Sequence, residues 1–194
     1  MVEFLKRWLG GRNRGLPRAG SCGLAIVWLL LIGASTVRAE VSKEQQLKAA
    51  LLFNFTKFIE WSPGSFPAAN SPLVIGVLGS EPFADEMENV VRNRNVKGRN
   101  ISVRRLQGTA GARGVHVLFV SASEDGRLGQ LRGTLRGANV LTVGESDAFA
   151  RSGGAITFVI VGGKVRFDIN STAAAQASVK ISAQLQKLAR TVRK

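Results

Sequence analysis

Leu73-Val74-Ile75-Gly76-Val77-Leu78, followed at once by Gly79-Ser80-Glu81-Pro82, decides the fold class of this chain. The first six residues are a near-continuous apolar run. A strand of that composition is covered on both faces, as in a parallel sheet held between helical layers. The next residues read as a helix start. Ser80 is the N-cap, and an acid and a proline occupy the first turn. A buried strand that turns directly into a helix is the unit from which α/β sheets are built.

The same alternation recurs outward from this point. Upstream, Lys43 to Glu60 reads as a helix with Leu47, Leu51, Phe55, Phe58 and Ile59 on one stripe, and Trp61-Ser62-Pro63 stops it. Downstream, the helix opened at Ser80 runs to about Asn93. Asn100 to Leu106 reads as a second strand, with Ile101, Val103 and Arg105 on one face. Val115 to Val120 is a third. Ser123 to Arg136 reads as a helix weakened by Gly129 and Gly133. Asn139 to Val143 is a fourth strand, Glu145 to Arg151 a helical turn, and Ala155 to Val161 a fifth strand.

Gly162-Gly163 signals a two-residue hairpin into Lys164 to Asn170. There Val165, Phe167 and Ile169 share one face, and Lys164, Arg166, Asp168 and Asn170 the other. Asn170 or Ser171 then caps an Ala-rich helix expected from Ala173 to Val192. The expected fold is α/β: a mainly parallel sheet with helices on both faces, an antiparallel C-terminal hairpin at the edge, and long N- and C-terminal helices.

The first 39 residues read as an export signal rather than as part of the fold. Lys6, Arg7, Arg12, Arg14 and Arg18 precede the apolar run Gly23 to Ile32, which is too short to span a bilayer comfortably. Val37-Arg38-Ala39 supplies small residues at a cleavage site, so cleavage is expected after Ala39. Retention as an uncleaved anchor is the alternative. Residues 40–194 are then a single domain, 155 residues long. The full chain carries +14; the leader has six basic residues and one acidic, so its removal leaves +9. Cys22 is the only cysteine and lies in the leader, which leaves residues 40–194 without disulfide, thiol nucleophile or thiolate ligand.

Chemistry-bearing constellations are sparse. Gly76-Val77-Leu78-Gly79-Ser80 sits where doubly wound folds bind phosphate, but it lacks the third glycine of a dinucleotide fingerprint and the lysine of a P-loop. His116 is the only histidine, so it has no partner for a triad and no second imidazole for a metal. Its competing reading is a hydrogen-bonded core histidine. No carboxylate pair, nucleophile or oxyanion site assembles, so neither catalysis nor a cofactor is expected. Arg92, Arg94, Lys97, Arg99, Arg104 and Arg105 crowd one segment, either as a docking surface for an acidic partner or as a solvated face. Nucleic acid is not expected, because no aromatics interleave these charges and export separates the domain from it. Phe53, Phe55, Phe58 and Trp61 concentrate aromatic area on the first helix, most of it expected in the core; Phe53 and Leu52 fall off its main stripe, so a partly exposed interaction patch is the alternative.

These residues also carry a resemblance. Ala49 to Trp61, the Leu73–Gly79 string with Pro82-Phe83, His116 to Ser121, Val140 to Val143, Phe149 to Ile156 and the Lys164–Ala175 junction occur in one order behind a signal peptide. In that order the chain resembles the YfiR-type periplasmic proteins. The resemblance implies a periplasmic, non-enzymatic repressor, often dimeric. Such a repressor binds the periplasmic domain of an inner-membrane diguanylate cyclase and lowers cyclic di-GMP. It also implies relief of repression by an outer-membrane, peptidoglycan-binding lipoprotein. Relatives often carry a cysteine at the position of Val115; this chain does not. Asn54, Phe58 and Trp61 at the end of the first helix, and Arg166, Asp168 and Asn170 on the polar face of the last strand, are the candidate partner contacts. Capping is the competing role for Asp168 and Asn170. The other functional reading is a small-ligand sensor with a cleft near Gly79, Ser121 and Glu145.

Overall fold

A computed structural model describes residues 43–62 and 64–194. The expected export signal and cleavage point near Ala39 lie outside the described residues. Residues 43–57 are helical (α1). They are followed by β1 (Ile59–Trp61), β2 (Leu73–Leu78), α2 (Glu81–Val91), β3 (Asn95–Val96), β4 (Arg99–Leu106) and β5 (Val117–Val120). A 3-10 turn over Ala122–Arg127 leads into α3 (Leu128–Leu135), then β6 (Leu141–Gly144), α4 (Asp147–Arg151), β7 (Ile156–Val161) and β8 (Lys164–Asn170). The chain ends with α5 (Ser171–Gln176), β9 (Val179–Ile181), α6 (Ala183–Leu188) and β10 (Thr191–Arg193).

Eight strands form one sheet in the order β10-β8-β7-β6-β5-β2-β4-β3. β4, β2, β5, β6 and β7 are parallel, and the β7–β8 hairpin and the β3–β4 pair are antiparallel. The α/β class and its mainly parallel sheet are as the apolar runs imply. β2 shows why. Its Leu73, Ile75 and Val77 enter one apolar cluster, while Leu78 enters the other and Val74 packs against that one. Period-2 alternation splits a continuous apolar run between two covered faces. On one face lie α1, α2, α5 and α6, with Phe83 stacked on Phe119 at 3.7 Å and Phe55 against Phe158 and Phe167. On the other lie α3 and α4, with Leu128, Leu131 and Phe149 against Leu118 and Val120.

The long C-terminal helix is not there. α5 stops after six residues, because Ser178 adopts a left-handed φ of +53°. Val179 and Ile181 then alternate as a strand, and Ser182 starts a new short helix by accepting from the Leu185 N–H. β10 pairs in parallel with β8, so it, and not the hairpin, forms that edge of the sheet. Both edge strands are short, two and three residues, a feature that limits edge-to-edge pairing.

α1 also differs. It ends at residue 57, and Ile59–Trp61 form a strand paired antiparallel with β9. Its buried stripe is rotated from the expected one. Lys48, Ala49, Leu52, Phe53, Phe55 and Thr56 are buried, while Leu47 is 46 % exposed. Phe53 is therefore core, with Lys57 and Arg94 laid over its ring, and it is not an exposed patch. The helix expected from Ser123 begins only at Leu128, after the 3-10 turn that contains Gly126. β3 has no counterpart in the sequence reading; its two residues fold back through the Lys97-Gly98 turn, both at positive φ.

Candidate functional site

Trp61 is placed by the end of α1. The Thr56 hydroxyl donates to the Phe53 carbonyl, and the Phe58 N–H donates to the Phe55 carbonyl in a closing turn. β1 then carries Trp61 alongside Val179. Its indole stands edge-on to Phe66 and His116, with centroids 6.1 and 6.4 Å away. The indole N–H donates to the His116 carbonyl at 3.4 Å. Phe66 stacks on the His116 ring at 4.3 Å, and the Arg99 guanidinium lies 3.9 Å from the Phe66 centroid.

His116 holds this assembly. Its Nδ1 accepts from the Val74 N–H at 3.0 Å, which fixes the tautomer, and Nε2–H then donates to the Ser65 carbonyl at 3.1 Å. The ring thus ties the loop between β1 and β2 to the sheet. Burial lowers its pKa, the nearby Arg99 and Arg104 lower it further, and the bond to Ser65 opposes them. The core reading of His116 is the one the geometry supports.

Trp61 separates two grooves. One, of about 500 Å³, runs between β1, α5 and β9, past Ser171, Ala174 and Ile181. The other, of about 590 Å³, runs between β1, the loop after it and the β3–β4 turn, past Phe66, Val96 and Lys97. Phe58 is half-buried beside the core, and its carbonyl accepts from the Ser182 N–H. Asn54 is exposed on α1, where its Oδ1 accepts from Lys57.

The β8 candidates lie in a different setting. Asp168 is buried and bidentate with Arg190: Nε donates to Oδ1 at 2.8 Å and Nη2 to Oδ2 at 2.5 Å. These bonds hold its carboxyl below the usual range, against the opposing effect of burial. Arg190 immediately precedes β10, so the pair helps fix the sheet edge. Asn170 caps α5 by accepting from the Ala173 N–H at 3.0 Å. Arg166 is exposed, across from Val159.

At the strand ends where α/β folds usually bind ligands the polar side chains are bonded to one another, beside an open pocket of about 680 Å³ that Lys48, Ala122, Glu145 and Asp147 line. Glu124 and Ser123 lie against Gly79, where any added Cβ would strike them. Glu145 accepts from Lys48 at 2.6 Å, and from the Ser121 hydroxyl and Ala122 N–H at 3.3 Å each. Glu44 also pairs with Lys48. Burial lowers the Lys48 pKa, but the bonds to Glu145 and Glu44 together outweigh it and raise it overall. Gly79, Ser121 and Glu145 do come together, as a self-satisfied network. Lys48 escaped the sequence reading; its signal was the Glu44–Lys48 spacing of four on a face that continues to Leu52 and Phe55.

A profile of the YfiR/HmsC-like family matches residues 45–190. The chain belongs to that family. It is a family of periplasmic regulators rather than of enzymes. No helix among the described residues is long and apolar enough to cross a membrane. No curated protein matches the chain. Among solved structures, a conserved domain protein from Vibrio cholerae O1 biovar El Tor is similar at 12 % identity and a TM-score of 0.48, over 62 % of this chain and 55 % of that one. The ABC domain in complex with L-Trp from Streptococcus pneumonia is similar at 13 % identity and 0.46, over 61 % and 54 %. The chain spans about half the length of both.

In this YfiR/HmsC-like chain the basic segment is largely bound to its own surface. Arg105 reaches Glu81, Asp85 and Glu88 of α2, and these three carboxylates raise its pKa. Lys97 donates to the Ile59 carbonyl, Arg99 to those of Ala68 and Ser71, and Arg104 to that of Gly114. Lys97 and Arg99 still line the second groove beside Trp61 and give that rim positive charge.

Proposed function

We propose that this chain is an exported, non-enzymatic repressor. It binds the periplasmic domain of an inner-membrane diguanylate cyclase and holds the enzyme off, lowering cyclic di-GMP and restraining biofilm formation. Residues 1–39 direct export and are removed near Ala39. A peptidoglycan-binding lipoprotein of the outer membrane competes for the repressor, and the repressor acts as a homodimer.

The observation that carries this reading is the contrast at Trp61. A large aromatic side chain, half-buried, stands between two open grooves in a member of a regulatory family. Aromatic anchors of that kind dominate protein interfaces. At the usual ligand crevice, by comparison, Glu145 is already bonded to Lys48, and Glu124 lies against Gly79. Cyclic di-GMP measured in a deletion strain tests the reading. It rises in the deletion, returns with the wild-type gene, and stays high with Trp61→Ala at equal protein level. An unchanged level in the deletion strain rejects it.

A further inference from the structure

The helical layer over the α3 face is thin. α3 has eight residues and α4 five, and beneath them Thr142 of β6 is only half-buried. Between α3, α4 and α5 lies a cavity of about 380 Å³, within the range of small-molecule sites. Its walls are Leu128, Leu131, Leu135, Val140, Phe149 and Ala177. Phe149 is locked in place, since a Cβ at Gly144 or Gly154 would run into its ring. On the floor, Thr142 accepts from the Ala155 N–H at 3.1 Å, and its own hydroxyl proton has no acceptor among the described residues.

The rim is cationic. Arg132 and Arg136 line the mouth, and among the described residues no carboxylate lines the cavity. Neither forms an ion pair with a described residue, unlike Arg105, Arg127 and Arg190. Arg113 adds a third guanidinium at the same corner by donating to the Arg136 carbonyl. Apolar walls, one free hydroxyl and unpaired guanidinium groups at the mouth suit one ligand chemistry. Apolar area is removed from water inside, and a carboxylate is held in charge-assisted bonds at the rim.

We propose that this cavity binds a small organic carboxylate with an apolar body, its carboxylate held by Arg132 and Arg136. The site lies away from the crevice at Gly79 and Glu145. α5 is the shared wall between this cavity, on its Ala173 and Ala177 side, and the Trp61 groove, on its Ser171 and Ala174 side. A bound carboxylate is therefore felt at Trp61, a consequence that adds ligand control to the repressor reading; binding itself does not depend on that reading.

Calorimetric titration of the exported protein with 4-phenylbutyrate and with its uncharged amide tests the site. The acid binds at least about tenfold more tightly than the amide, a difference of about 1.4 kcal/mol. Arg132→Gln with Arg136→Gln, both at exposed positions, brings the acid down to the affinity of the amide. Ala177→Phe, which fills the cavity, removes binding of both. Equal binding of acid and amide, no binding of either at about 5 mM, a weak millimolar limit, or full binding by the arginine double variant overturns the proposal. If Ala177→Phe does not fold, the arginine variant alone decides.

Discussion

Around Trp61 the chain leaves aromatic surface uncovered between two grooves; around Asp168 it takes up both carboxylate oxygens with its own Arg190. Both residues belong to the strings by which the family is recognised, yet they sit in opposite settings. The Asp168 region is a closed device that seals β8 with β10 and starts α5 from Asn170. The Trp61 region is a platform, braced from behind by His116 and Phe66. The difference separates residues that make the fold from residues that the fold presents.

The sharpest way to break this comparison is to truncate one residue from each region. Trp61→Ala lowers affinity for the cyclase domain by about 30-fold or more, the loss of about 2 kcal/mol expected at an aromatic anchor. Titration of the purified domains measures it. The unfolding midpoint changes little, because the indole is only half-buried. A fall in stability with unchanged affinity reverses the assignment and makes Trp61 part of the fold.

Asp168→Ala gives the converse result. The unfolding midpoint drops by about 2–4 °C, a modest effect because Arg190 is half-exposed and solvent screens the pair. Affinity per folded molecule is unchanged. Because the carboxyl pKa is lowered in the folded state, the pair's contribution is complete above the unfolded value of about 3.9. It is lost as pH falls from there through the folded pKa. Asp168→Asn flattens that acid limb of a stability–pH curve.

His116 refines the platform side. His116→Gln loosens the loop between β1 and β2 at a cost of about 1 kcal/mol, the net value of one hydrogen bond. Faster amide exchange at Val74, whose N–H loses its ring acceptor, reports it. The folded-state pKa lies below the unfolded value of about 6.5, so the neutral ring stabilises the fold fully above that pH. That stability is lost as pH falls from about 6.5 through the folded pKa. The charged groups bearing on the ring are Arg99 and Arg104, and both oppose its protonation.

How far the residues foretell the structure varies by element. β2, β5 and β8 were legible because apolar content and period 2 agree with their burial on one or both faces. Ser80 and Asn170 were legible as caps because their side chains have one strong local use. The C-terminal region was not. Its Ala-rich start and helical spacing outweighed Ser178, whose left-handed conformation a non-glycine residue does not advertise. β9 and β10 draw their pairing from distant strands, β1 and β8, which no local window contains. The candidate site was half legible. Aromatic density marked Trp61, but the ion pair that closes Asp168 joins residues 22 apart in sequence.

The smallest expected effect is none at all. A reductant leaves both regions unchanged, in stability and in partner affinity. Cys22 is the only cysteine, so no disulfide can form within one chain, and it precedes the described residues. Val115 is buried in the apolar cluster of the α3 face, where its methyl groups pack against the space above Gly76. Packing supplies there what a cross-link would supply otherwise. Thermal unfolding with and without dithiothreitol checks this, and a shift of the midpoint beyond scatter contradicts it. Val115→Ala is the informative companion. It lowers stability through lost packing by about 1–2 kcal/mol, with or without reductant. An effect that appeared only on reduction would place a second thiol-bearing molecule in the structure.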